Sequence, residues 1–230
     1  MNYMLFKVIN RLAGRGTTMD AIMVFLSQKT RYLYLFILIF MWFRNNFYKK
    51  IILYAGISAG VTLFINRIIQ LFYFKPRPFI FHRIRLLIPS KSNSSFPSKH
   101  TALAFAVATS VLLRERLIGS IMWLLAVLTG FSRIWVGHHY PFDIIGSAVI
   151  GSLTSVIIDK NTYTFQSLIT WIINIYSSFT KLFIMKKEKN PLCHSWELYQ
   201  IKREHPLLLF CAVEREKAQI ENFWWDFKKI

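Results

Sequence analysis

Apolar residues recur along this chain at helical spacing, and the pattern changes character several times. Within residues 1–15, Met4, Leu5, Val8, Ile9 and Leu12 share one face and Lys7, Asn10 and Arg11 the other. No apolar core with a small-residue cleavage site follows, so this is an amphipathic helix lying on a bilayer surface rather than a cleaved signal. Residues 21–43 and 51–74 are each long and apolar enough to span a membrane, with Lys29 and Arg31 snorkelling or facing protein. Asn66, Arg67 and Gln70 gather late in the second span and place that end against a cavity. Prolines at 76, 78, 89 and 97 and a Ser/Asn cluster at 92–95 make 75–99 an irregular loop. Apolar helices follow at 101–113, 117–131 and 142–158, separated by a charged turn at 114–116 and a second loop at 132–141. Small residues at Gly146, Ser147, Ala148, Gly151 and Ser152 allow close helix packing in the last of these. Over 165–183 the large apolar residues form one stripe opposite a polar face, which favours an interfacial helix, with a sixth span as the alternative.

The expected fold is therefore all-α: a polytopic membrane bundle of five spans, possibly extended by a sixth, behind an N-terminal amphipathic helix. A membrane domain at 1–188 precedes a polar tail at 189–230 of unassigned role. Composition agrees, since 54% of the 230 residues are hydrophobic and 17% charged, against about a quarter charged in soluble domains. Disorder is excluded. Cys193 and Cys211 are the only cysteines, and they have no metal-like spacing and form no disulfide framework.

The net charge of +18 conceals two populations, because the tail carries basic and acidic residues in near balance and the membrane part holds nearly all the excess. With five spans, Lys7, Arg11, Arg15, Arg83, Arg85 and Lys91 share a side with the two loops. Many more basic residues, among them Arg44, Lys50, Arg114 and Lys160, share the tail's side. The positive-inside rule then puts the loops outside the cytoplasm. Nucleic-acid binding does not fit, because the basic residues are dispersed along membrane loops.

Three short stretches carry candidate chemistry, all in or beside those loops. Lys75-Pro76-Arg77-Pro78 holds two cations in a proline-stiffened segment, which fits either an anion site or contact with lipid head groups. Pro97-Ser98-Lys99-His100 precedes the third apolar helix. Pro97 and Ser98 are ordinary helix-start residues, yet a helix start also offers free amides and a positive dipole end to a phosphate. In the third stretch, 132–143, His139 falls just before a helix and Asp143 within its first turn. That is near enough for the carboxylate to accept a hydrogen bond from the imidazole. Only Asp20, Glu115, Asp143 and Asp159 are acidic before Lys186, so an acid beside His139 stands out. Cations, amides, a nucleophile and an acid together meet the needs of phosphoryl transfer.

These stretches resemble the three motifs of the type 2 phosphatidic acid phosphatase superfamily: Lys-x6-Arg-Pro, Pro-Ser-x-His and Ser-Arg-x5-His-x3-Asp. Arg77-Pro78 matches the end of the first, 97–100 the second, and Ser132-Arg133 through His139 to Asp143 the third. The runs 73–79 and 130–141 are similar to bacterial undecaprenyl-diphosphatases linked to bacitracin resistance. The first motif departs from the pattern, with Gln70 where the superfamily has lysine. Lys75 and Arg67 are candidates to replace that charge.

The resemblance implies that His139 is the nucleophile and forms a phosphohistidine, oriented by Asp143, and that His100 is the acid and then the base. Arg77, Arg133 and Ser98 hold the phosphate oxygens, with Lys99 and Lys75 as weaker candidates. It implies an isoprenoid diphosphate lipid as substrate, in contact with membrane lipids, and neither metal nor other cofactor; one carboxylate among cations is in any case a poor magnesium site. His138 reads as structural or as a fallback nucleophile, and His82 carries no motif. Phosphatidylglycerol phosphate and phosphatidic acid remain alternative substrates. A transporter is the competing class, disfavoured by the lack of an inverted repeat and by polar residues gathered at one surface.

Overall fold

The structure, a computed structural model, describes residues 1–90 and 92–188; Lys91 and the polar tail 189–230 lie outside the described residues. Among these, eight helices and no strand occur: α1 (Asn2–Asn10), α2 (Thr17–Trp42), α3 (Asn46–Phe72), α4 (Pro78–Phe81), α5 (Lys99–Leu112), α6 (Arg116–Trp135), α7 (Pro141–Lys160) and α8 (Thr162–Glu188). Residues Met1–Ile173 form one compact unit. The helices α2, α3, α6 and α7 are long and apolar enough to cross a membrane. Their outward side chains, among them Phe36, Phe40, Phe64, Leu124 and Leu153, are more than half exposed. Apolar surface of that extent belongs against lipid. The protein is a multi-pass membrane protein.

The third expected apolar helix, 101–113, is present as α5, shifted by two residues at its start and one at its end. With 14 residues, α5 rises about 21 Å, short for a lipid-facing span, yet it runs beside α7 from the Ser98–Ser147 contact at one end to the Arg114–Asp159 ion pair at the other. Ala102, Ala106, Ala108 and Val111 are fully buried, because α5 runs through the centre of the bundle against α7, α6 and α3. An apolar run of this length looks the same in sequence whether lipid or protein surrounds it. The crossing of α5 and α7 is particularly close: a Cβ on Gly151 would lie 2.2 Å from the Ala102 carbonyl oxygen. Ser155 Oγ on α7 donates to Ala106 O at 2.6 Å across the same interface.

Other boundaries shift for identifiable reasons. Helix α6 continues past residue 131 to Trp135 and carries Ser132 and Arg133 in its last turn. Polar side chains end an apolar run in sequence, but a helix tolerates them where they face a cavity. The loop 75–99 contains one short helix, α4. In α1 it is Phe6 that turns inward, joining a cluster with Ile134, Tyr140 and Ile144, while Met4, Leu5 and Val8 stay exposed. Helix α8 extends beyond the expected 165–183 at both ends and is not among the four helices apolar enough to cross. Its Ile169 and Ile173 pack with Tyr54 and Ile158.

Candidate active site

The end of α6 and the start of α7 are joined by a turn of five residues, 136–140. Gly137 makes it possible: its φ is +88°, and a Cβ there would meet Ile84 Cδ1 at 2.9 Å and Arg85 O at 3.2 Å. Side chains rarely adopt that region. The turn delivers His138 and His139, and Pro141 then starts α7.

His139 is almost fully buried, and its Nδ1 lies 2.6 Å from the carbonyl oxygen of Ser95. A carbonyl only accepts, so Nδ1 carries the proton and Nε2 keeps its lone pair. Burial, then the positive charges of Arg133 and Arg77, hold the imidazole well below its usual pKa, opposed by the Ser95 bond. The ring is therefore neutral at physiological pH, with Nε2 as the nucleophilic nitrogen. His138 is oriented differently: its Nε2–H donates to Ile88 O at 2.9 Å, and burial followed by Arg133 brings it down to about 4. That bond ties the turn to the loop, in keeping with a structural role.

Asp143 does not touch His139 directly, contrary to the expected hydrogen bond. Its carboxylate accepts from Lys75 Nζ and from Ser95 Oγ, both at 2.5 Å, and from the Tyr140 amide at 3.3 Å. Ser95 thus stands between the two, its carbonyl on the imidazole and its hydroxyl on the carboxylate. Lys75, a candidate phosphate ligand, is instead the ion-pair partner of Asp143 and lies over the Tyr140 ring. The reason is direction: Lys75 Nζ turns towards the first turn of α7, whereas the Arg77 guanidinium is held by Asn93 and Ser90 of the loop.

A cavity of about 280 Å³ opens in front of His139, lined by Gln70, Arg77, Pro89, Ser90, Asn93, Ser94, Pro97, Lys99, His100, Arg133 and His138 besides His139 itself. The structure thus brings together His139, His100, Arg77, Arg133 and Lys99. Both arginines are 7% exposed and anchored. Arg77 donates to Asn93 O at 3.2 Å and Ser90 Oγ at 2.8 Å, and Arg133 to Ser27 Oγ at 2.8 Å. Burial lowers the pKa of Arg77, opposed by the charge of Asp143, a cost that an anion in the cavity would relieve. The Arg133 Nε is buried without a partner among the described residues.

Ser98 is not among the lining residues. It is the N-cap of α5, fully buried, with its amide donating to Ser147 Oγ at 2.7 Å and its hydroxyl accepting from Thr101. Neither Lys75 nor Arg67 lines the cavity to replace the superfamily lysine. Gln70 itself does, with its amide donating to Pro97 O at 3.1 Å. Ser27 and Ser90 carry no recognisable signal in sequence, and the cluster 92–95 that holds Asn93 and Ser95 reads only as loop; Ser27 is 106 positions from Arg133.

A second cavity, about 390 Å³ and largely apolar, runs between α2, α3 and α5 past Leu35, Leu38, Ile52, Ala55, Gly56, Ala59, Leu103 and Val107. His100, exposed on the first turn of α5, lines both cavities.

A membrane helix bundle with a buried, cation-lined histidine cavity defines a class of membrane phosphatases, and residues 51–166 match the PAP2 superfamily. The chain belongs to that superfamily and is a multi-pass membrane lipid phosphatase. It is 41% identical over 192 residues to the undecaprenyl-diphosphatase BcrC of Bacillus subtilis, covering 83% of this chain and 97% of that protein. Among solved structures, LpxE of Aquifex aeolicus is 34% identical with a TM-score of 0.56, covering 69% of this chain and 94% of that one. The PAP2-type phosphatidylglycerolphosphate phosphatase of Bacillus subtilis, 20% identical, shares the fold with a TM-score of 0.55 over 70% of this chain and 86% of that one.

Proposed function

We propose that the protein hydrolyses undecaprenyl diphosphate to undecaprenyl phosphate and inorganic phosphate on the extracytoplasmic face of the membrane, recycling a cell-wall carrier lipid and conferring bacitracin resistance. One juxtaposition carries this reading: His100 borders both the cationic cavity and the apolar groove. A diphosphate head on a long apolar chain needs that pair of environments side by side. The name of the 41%-identical relative supports the same substrate, and the bias of basic residues towards the tail's side supports the orientation.

His139 Nε2 attacks the terminal phosphorus as the bond to the bridging oxygen breaks, and the His100 imidazolium, favoured once the diphosphate charge lies beside it, gives its proton to that oxygen and becomes neutral as undecaprenyl phosphate leaves. The phosphorylated imidazole is cationic while Nδ1 keeps its proton, and the Ser95 carbonyl and Asp143 carboxylate behind it stabilise that charge. Arg77 and Arg133 neutralise the phosphoryl oxygens. His100 then takes a proton from water, whose oxygen attacks phosphorus, and inorganic phosphate departs with His139 restored.

The test is phosphate release from undecaprenyl diphosphate by detergent-purified protein in EDTA, alongside phosphatidylglycerol phosphate and phosphatidic acid. Wild type is expected to prefer the isoprenoid diphosphate and to form an acid-labile phosphoenzyme that His139→Ala lacks. Full activity of His139→Ala overturns the nucleophile, and preference for a glycerolipid overturns the substrate.

A further inference from the structure

Helix α1 and the segment 83–85 enclose another cavity, about 500 Å³, that shares no lining residue with the phosphate cavity. Its walls carry Lys7, Arg11, Arg15, Arg83 and Arg85 and no carboxylate. Asp20, the acid nearest in the chain, is already engaged by the Trp135 indole at 2.8 Å and the Gly14 amide at 2.9 Å. The Arg85 guanidinium is held by the Ala13 carbonyl at 2.6 Å. The side chains of Lys7, Arg11, Arg15 and Arg83 have no hydrogen bond or ion pair with any described residue. Like charges gathered in one concavity repel, and an anion entering it converts that repulsion into attraction.

The same helix says what kind of anion fits. Met4, Leu5 and Val8 on its outer face are 68%, 46% and 64% exposed, the side of an amphipathic helix that enters the acyl region of a bilayer. A ligand that uses both surfaces has a phosphate head and apolar chains. We propose that this cavity binds the head group of an anionic membrane phospholipid, with its acyl chains lying along Met4, Leu5 and Val8. The site is independent of the identity of the hydrolysed lipid. It is also tied to the catalytic turn, because the Asn10 amide at its wall donates to both Arg85 O and Trp135 O, at 2.9 and 3.0 Å.

Native mass spectrometry of the full chain in neutral detergent, titrated with phosphatidylglycerol or phosphatidylcholine, tests this. Wild type is expected to retain one phosphatidylglycerol and no phosphatidylcholine. Replacing Lys7, Arg11, Arg15 and Arg83 together by Gln should weaken retention at least tenfold, while Gln at Arg44, Lys50, Arg116 and Lys160 leaves it unchanged. Phosphate release by each variant confirms folding, and Arg83→Glu alone repeats the test should the fourfold variant fail to purify. Equal loss in both fourfold variants, or retention in the cavity variant, overturns the proposal. So does displacement of the lipid by millimolar inorganic phosphate, which assigns the cavity to the free ion.

Discussion

The cationic cavity and the apolar groove meet at His100, yet they are built on opposite principles. In the first, both arginines and both histidines of the turn are anchored: Arg77 by Asn93 and Ser90, Arg133 by Ser27, His138 by Ile88 and His139 by Ser95. The groove is lined mainly by aliphatic side chains and by Ala55, Gly56 and Ala59, whose small size leaves the space open. Phosphoryl transfer depends on direction, so its groups need fixed partners. A long apolar chain is recognised by room and by apolar surface, and no single contact there has to be fixed.

Substitutions that hit only one side sharpen this contrast. His139→Ala is expected to abolish phosphate release from long- and short-chain diphosphates alike, by roughly ten-thousandfold or more. His100→Ala should slow the burst of undecaprenyl phosphate release, the first step alone, by roughly a thousandfold, but far less the burst of p-nitrophenolate from p-nitrophenyl phosphate, whose leaving group needs no proton. An equal loss on both substrates would remove His100 from the acid role. Ala59→Trp should raise KM for an undecaprenyl chain by roughly tenfold, the scale of 1.4 kcal/mol, while a farnesyl diphosphate is turned over unchanged. Equal effects on the two chains would show that the groove does not hold the tail.

The smallest effect concerns pH. His138 sits near 4 in the folded protein against about 6.5 when unfolded. Its folded pKa is lowered, so stability is intact above about 6.5 and declines as acidification protonates the unfolded state first. Thermal unfolding from pH 7.5 to 4.5 should show this decline, and His138→Gln should make it shallower, the lowered pKa of His139 supplying a decline of the same sign.

His139, His100, Arg77 and Arg133 were legible in sequence because helix ends and fixed spacings carry them to one place. What was not legible depended on direction and long range. Lys75 lies two residues from Arg77, yet it points to Asp143. Ser98 reads as a phosphate ligand, yet its amide faces Ser147. Ser95 links His139 and Asp143 through two different atoms, and no periodicity marks such a residue. The helical pattern gave the elements, α5 among them, but not the burial of α5 at the centre of the bundle, since protein and lipid make the same demand for apolar side chains.

The hydrogen that stands in for a side chain at Gly151 sets a mechanical tolerance for the reaction. His100 lies two residues before Ala102 on α5, and Asp143 lies in the first turn of α7, so the crossing at Gly151 gauges how far proton donor and nucleophile stand apart. A methyl group there would have to move from 2.2 Å to an ordinary contact of at least 3.4 Å from the Ala102 carbonyl, and the helices would part to allow it. Such a change would detune the chemistry with every reacting group intact, so α7 can be read as a lever whose fulcrum never meets substrate.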